Sequence, residues 1–122
     1  MLHIAICDDQ PDQIRSIQQS SERYFQEKQD TVSYETFDNA FSFVDTINQG
    51  AIFDIVLLDV CMPGILGTEV AQELRKFSSS TEIIFLTTSD EFAMDAFAVK
   101  ATDYLLKPFT QSQFNQAMDR AI

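Results

Sequence analysis

Asp54-Ile55-Val56-Leu57-Leu58-Asp59-Val60-Cys61-Met62-Pro63-Gly64 is the stretch whose reading decides the fold. It begins as an unbroken apolar run, too short for a helix and rich in β-branched residues and leucine. Such a run suits a strand buried on both faces in the middle of a parallel sheet. It stops at a carboxylate, Asp59, and a Pro-Gly turn follows. In open α/β sheets, ligands bind beyond the carboxyl ends of the strands, where strand order reverses. Asp59 is thereby placed on a rigid element and turned toward solvent, as a reacting group must be.

Size and charge bound what the rest of the chain can be. With 122 residues it reads as one domain, spanning 1–122, with room for a single proper core. A hydrophobic content of 45% argues against disorder. The net charge of -11 argues against this domain gripping nucleic acid or an anionic membrane. No apolar run is long enough for a membrane span, and no signal segment opens the chain. Two cysteines, Cys7 and Cys61, are too few for a disulfide scaffold, so a cytoplasmic setting is expected. Three glycines without a Gly-rich loop weaken any reading as a mononucleotide cradle.

The flanking segments repeat one rhythm. Leu2 to Cys7 reads as a strand that ends in Asp8 and Asp9, and Pro11 opens a helix running to about Lys28. Thr31 to Phe37 reads as a second strand. Asp38 or Asn39 can cap a helix with Phe41, Val44 and Ile47 on one face, ending near Gly50. After the Asp59 strand, Gly67 to Phe77 carries Val70, Ala71, Leu74 and Phe77 at helical spacing. Glu82 to Thr87 is a buried strand that ends in the hydroxyls of Thr87, Thr88 and Ser89. Asp90 is placed to cap a short helix to about Val99, and Asp103 to Lys107 forms a fifth strand closed by Pro108. Thr110 opens a last helix bearing Phe114, Ala117, Met118 and Ala121. Five strands alternating with five helices predict a doubly wound α/β domain with a parallel sheet.

In such a sheet the ends of strands one, three, four and five share an edge. Asp8, Asp9, Asp59, Thr87 and Lys107 can therefore converge, although about a hundred residues separate the first from the last. Three carboxylates at one point repel each other unless a hard divalent cation such as Mg²⁺ sits among them. A lysine ammonium and a threonine hydroxyl suit the oxygens of a transferring phosphoryl group. Carboxylate nucleophile, metal, cation and hydroxyl together describe aspartyl-phosphate chemistry.

Ile6-Cys7-Asp8-Asp9, Leu58-Asp59-Val60-Cys61-Met62-Pro63-Gly64, Leu86-Thr87 and Leu105-Leu106-Lys107-Pro108 together resemble the bacterial response-regulator receiver domain. The resemblance covers essentially the whole chain. The segment from Asp95 to Phe109 resembles the LytTR-type subgroup in particular. A flavodoxin-like fold of five βα units, with strand order 2-1-3-4-5, is what this resemblance implies. It further implies that Asp59 accepts a phosphoryl group from a sensor histidine kinase. Asp9 would hold Mg²⁺ directly, Asp8 mostly through water, and the Cys61 backbone carbonyl would be a further ligand. Lys107 would contact Asp59 and the phosphoryl group, Thr87 would swing in to bond a phosphoryl oxygen, and Tyr104 would repack inward with it. The Lys107-Pro108 bond is expected to be cis. The surface of the fourth helix, fifth strand and fifth helix would be remodelled and would serve for homodimerisation, with Met94 or Ala98 in the patch. DNA would be reached only through a LytTR output domain that this chain lacks, so the chain reads as a receiver-only piece of a transcription regulator.

Two positions depart from the common receiver pattern. Thr88 follows the switch threonine where many receivers have a smaller residue, and Leu66 stands before Gly67 where many have an acid. Neither change removes a group the chemistry requires. Other function classes read less well. A phosphatase of the haloacid dehalogenase kind would carry a second acid two residues after the nucleophile, where Cys61 stands. A pseudo-receiver or stand-alone receiver acting as a protein-binding module would fold alike, but pseudo-receivers typically lose an acid or the lysine. The expected chemistry is self-modification, not turnover, so the chain is not read as an enzyme. His3, early in the first strand, is read as structural, and a redox role for Cys7 or Cys61 is disfavoured.

Overall fold

The computed structural model describes residues 1–122. Five strands, β1 (Leu2–Cys7), β2 (Val32–Phe37), β3 (Ile55–Leu58), β4 (Glu82–Thr87) and β5 (Asp103–Leu106), form one parallel sheet in the order β2-β1-β3-β4-β5. They alternate with α1 (Pro11–Phe25), α2 (Ala40–Asn48), α3 (Gly67–Arg75), α4 (Ala93–Ala98) and α5 (Gln111–Ala121). This is the doubly wound α/β arrangement that the sequence pattern predicts, with the strand order that the receiver resemblance implies.

The two-residue period of the central strands divides the core in two. Ala5, Cys7, Val56, Leu58, Ile83 and Phe85 face α2, α3 and α4, where Phe43, Ile47, Val70 and Leu74 cover them. Ile4, Ile6, Ile55, Leu57, Ile84 and Leu86 face α1 and α5, against Ile17, Phe114 and Met118. β3 is buried along its whole length, and for that reason its sequence is apolar without alternation.

Several boundaries differ from the sequence expectation. Helix α1 stops at Phe25, short of Lys28. The buried face of α2 is Ala40, Phe43 and Ile47, while Phe41 is 57% exposed. Successive helical residues point about 100° apart, so Phe41 cannot share the face of Ala40. Helix α3 ends at Arg75, which leaves Phe77 beyond the helix and in water. Asp90 does not cap α4: the helix starts at Ala93 after Phe92, with no side-chain cap. Asn39 does cap α2, accepting the Ser42 N–H at 2.8 Å, and Thr110 forms a reciprocal cap with Gln113 on α5.

At the sheet edge where β3 and β4 begin, Arg75 ties three segments together. Its guanidinium donates to the carbonyls of Val99 (2.8 Å), Ser78 (3.2 Å), Thr81 (2.7 Å) and Lys100 (3.2 Å). The C-terminal end of α4 is thereby fastened to the end of α3 and the start of β4. His3 lies near this edge, with its ring Nδ1 against Ser33 Oγ at 2.8 Å.

Candidate functional site

Strand register builds the site. Cys7 pairs with Leu58 across β1 and β3, so the next residues, Asp8 and Asp59, leave neighbouring central strands at the same level. On the other side, Thr87 pairs with Leu106, which brings Lys107 up beside the end of β4. Carboxylate oxygens of Asp8, Asp9 and Asp59 lie within 4.8 Å of one another. The sequence places these three groups at one point, and the structure brings them together.

Lys107 Nζ donates to Asp8 Oδ2 at 2.7 Å, with both side chains largely withdrawn from water. The other Asp8 oxygen accepts the Gln10 backbone N–H at 3.0 Å. The receiver resemblance implies that Lys107 contacts Asp59 and the phosphoryl group; in this structure the direct partner of the ammonium is Asp8. Burial pushes the Asp59 carboxyl up to about 6, and the charges of Asp8 and Asp9 push the same way; Lys107 and the Cys61 amide only partly oppose them. Asp59 is thus a buried acid surrounded by more negative charge than positive.

All the donors at this point are hard oxygens, and one lysine cannot balance three carboxylates. The group fits a hard divalent cation and offers little to a soft one. Beside it opens a cavity of about 600 Å³, lined near the acids by Asp9, Asp59, Cys61, Thr88 and Lys107, and continuing along α1 past Gln13.

The loop from Asp59 to Gly67 holds the acceptor. Asp59 N–H donates to the Cys7 carbonyl at 3.0 Å, and Gly67 N–H donates to the Val60 carbonyl at 2.7 Å. A Cβ on Gly67 would stand 2.0 Å from the Asp59 carbonyl oxygen, so only glycine permits this approach. Gly64 adopts φ +89°, the left-handed region that the turn after Pro63 requires. The Lys107-Pro108 bond is cis, as expected.

Thr87 is fully buried, and its hydroxyl points toward Cys61 Sγ at 3.9 Å. Ser89, to which the sequence reading gave no role, links Thr87 to Tyr104. Its N–H donates to Thr87 Oγ1 at 3.3 Å, and its carbonyl accepts the Tyr104 hydroxyl. Both Ser89 contacts use backbone atoms, which carry no side-chain signal. Tyr104 is half-buried, with its ring 6.1 Å from that of Phe85. Thr88 is exposed at the cavity. The two cysteines are unpaired. Cys7 is buried, its thiol is pushed up to about 12 by burial first and nearby acids second, and its sulfur lies 3.7 Å from Met62 Sδ.

A parallel βα sheet with three acids and a lysine at its carboxyl edge defines a class, and comparison with known proteins agrees. The chain belongs to the response regulator receiver domain family, which matches residues 4–119. Among curated relatives, it is 35% identical over 124 residues to the sensory transduction protein LytT of Oceanobacillus iheyensis, covering 98% of this chain and 47% of that one. It is 41% identical over 68 residues to the sensory transduction protein LytR of Staphylococcus epidermidis, covering 56% of this chain and 27% of the relative. The chain therefore spans less than half the length of these relatives. Of solved structures, the BeF3-activated DrrB receiver domain has 27% identity and a TM-score of 0.76, covering 99% of this chain and 97% of that one. The response regulatory domain of mrkE from Klebsiella pneumoniae has a TM-score of 0.84 at 23% identity, over 98% and 94% of the two chains, and supports the fold alone. No helix is long and apolar enough to cross a membrane.

Proposed function

We propose that this domain is a phosphorylation-dependent switch in which Asp59 accepts a phosphoryl group from a phosphohistidine of a sensor histidine kinase. One observation carries the reading: Asp8, Asp9 and Asp59 converge on one point with Lys107 beside them, and the lysine's direct partner is Asp8, not Asp59. An Asp59 oxygen attacks phosphorus as the P–N bond breaks, and the imidazole leaves with the electron pair and picks up a proton. Asp8, Asp9, Asp59 and the Cys61 carbonyl would hold Mg²⁺, which supplies positive charge to the oxygens of the transferring group. Lys107 then shares its ammonium between Asp8 and a phosphoryl oxygen.

Thr87 is the natural donor to a second phosphoryl oxygen, because its present acceptor, a thiol sulfur at 3.9 Å, is weak. Turning that hydroxyl toward the phosphoryl group alters its bond from Ser89 N–H, and Ser89 passes the change to Tyr104. The surface of α4, β5 and α5 would change as a result and support a homodimer. In a full-length protein, the readout would be transcriptional, through a LytTR DNA-binding domain. The setting would be cytoplasmic, and the chemistry self-modification without turnover.

The test is intact-protein mass after incubation with Mg²⁺ and a small-molecule phosphodonor, beside an Asp59→Asn control. Gain of one phosphoryl group, dependent on Mg²⁺ and absent from the control, is expected. A folded wild type that neither binds Mg²⁺ nor gains mass would overturn the reading.

A further inference from the structure

The Asp59–Gly67 loop supplies the Asp59 side chain, the Cys61 amide that faces it and the Cys61 carbonyl of the proposed metal site. Its two ends are well fastened, by Asp59 N–H on Cys7 and Gly67 N–H on Val60, and Met62 is buried beside Cys7. Its apex is not. Pro63 and Gly64 form a tight turn, but residues 61–65 make no backbone–backbone hydrogen bond to any other segment. Met62 and Ile65 pack on the core at either side of the turn, and at the turn itself a side chain from another element adds a restraint. A Cβ built on Gly64 would fall 2.8 Å from Phe41 Cε2 and 2.9 Å from Cζ, so the phenyl edge occupies the space a side chain there would need.

Phe41 is otherwise hard to account for. It lies off the buried face of α2 and is 57% exposed, so the core does not explain it. Its base is firmly placed, because Asn39 caps the first turn of α2 and the Asn39 carbonyl receives the Cys7 thiol at 3.8 Å. An aromatic on a fixed helix start, laid against an apex whose backbone has no hydrogen bond to the rest of the fold, restricts where Cys61 can sit. Resting on the phosphoacceptor reading, we infer that Phe41 is a positioning residue of the site, bracing the Pro63-Gly64 turn so that the Cys61 backbone meets the metal and Asp59. It touches neither the metal nor the phosphoryl group.

Supports of metal ligands typically alter affinity by about 10- to 100-fold when removed. The experiment is calorimetric Mg²⁺ titration of the wild type, Phe41→Ala, Phe41→Tyr and Phe77→Ala, with thermal unfolding of each in chelator. Phe77 is a matched control, similarly exposed at 59% but beyond the end of α3, outside the loop. Expected is Mg²⁺ binding about tenfold weaker in Phe41→Ala, recovered in Phe41→Tyr and unaffected in Phe77→Ala, with little change in unfolding temperature. If Phe41→Ala does not fold, Phe41→Leu, which keeps apolar bulk but loses the ring edge, reads the same quantity. Unchanged affinity in the Phe41 variants, with wild type binding Mg²⁺, overturns this inference alone. Weakening that Phe41→Tyr fails to rescue also overturns it. A wild type that binds no Mg²⁺ removes the phosphoacceptor reading and this inference together.

Discussion

Replacing Asp59 with asparagine should stabilise the metal-free protein, and the gain should depend on pH in a defined window. The Asp59 carboxyl stands at about 6 in the fold against an ordinary value of 3.8. The folded state therefore holds a proton at this site that the unfolded chain has already released. Stability then falls as pH rises from about 4 to about 6, and the penalty is fully developed above that range. A gap of about two pKa units corresponds to about 3 kcal/mol. The asparagine side chain is neutral at every pH and lacks this penalty. Urea unfolding of wild type and Asp59→Asn in chelator, at pH 4 and at pH 7.5, reads the effect of the site, because acids remote from it titrate alike in both proteins. Expected is near equality at pH 4 and an advantage of about 3 kcal/mol for the variant at pH 7.5. Saturating Mg²⁺ should narrow the gap at pH 7.5. A wild-type-to-variant difference that is the same at both pH values would refute the electrostatic account of the site.

Three further outcomes follow from the geometry. Lys107→Met leaves Asp8, which is 1% exposed, without its ion pair; it should lower stability in chelator by about 3 kcal/mol, with part restored by Mg²⁺, as read by urea unfolding. Gly67→Ala puts a methyl 2.0 Å from the Asp59 carbonyl oxygen and forces the loop to move by about 1 Å; phosphorylation by a small donor should slow about 100-fold in a stopped time course. Thr88→Ala widens the cavity beside Asp59, so the phosphoryl group should be lost several-fold faster than in the wild type, measured as phosphoprotein half-life.

What could be read from the sequence had a distinct physical signature. β3 is recognisable because a strand covered on both faces must be apolar throughout. The convergence of Asp8, Asp9, Asp59 and Lys107 follows from the parallel sheet alone, which puts every strand end on one edge. Contacts made by backbone atoms were not legible. Ser89 joins Thr87 to Tyr104 through its N–H and carbonyl, and the Arg75 guanidinium finds four carbonyls, whose acceptors any residue could supply. Apolar residues in water misled as well. Phe41 and Phe77 fit a helical spacing, but one lies off the buried face and the other beyond the helix end. The pairing of Lys107 with Asp8 over Asp59 depends on side-chain reach past β4 and β3, to which motif order is blind.

The Arg75 network gives α4 one hard end and one soft end. Bonds from a guanidinium hold the carbonyls of Val99 and Lys100, whereas the start of the helix has no side-chain cap. Its approach is held through Ser89, Thr87 and Tyr104. A rod pinned at one end cannot slide; it can only swing, and displacement grows with distance from the pivot. Over the roughly 9 Å of a six-residue helix, any swing would be largest near Met94 and smallest at Ala98 beside the pivot. On the switch reading, Arg75, at the sheet edge opposite the acids, would turn a small shift at Ser89 into a lever stroke felt at exposed Met94.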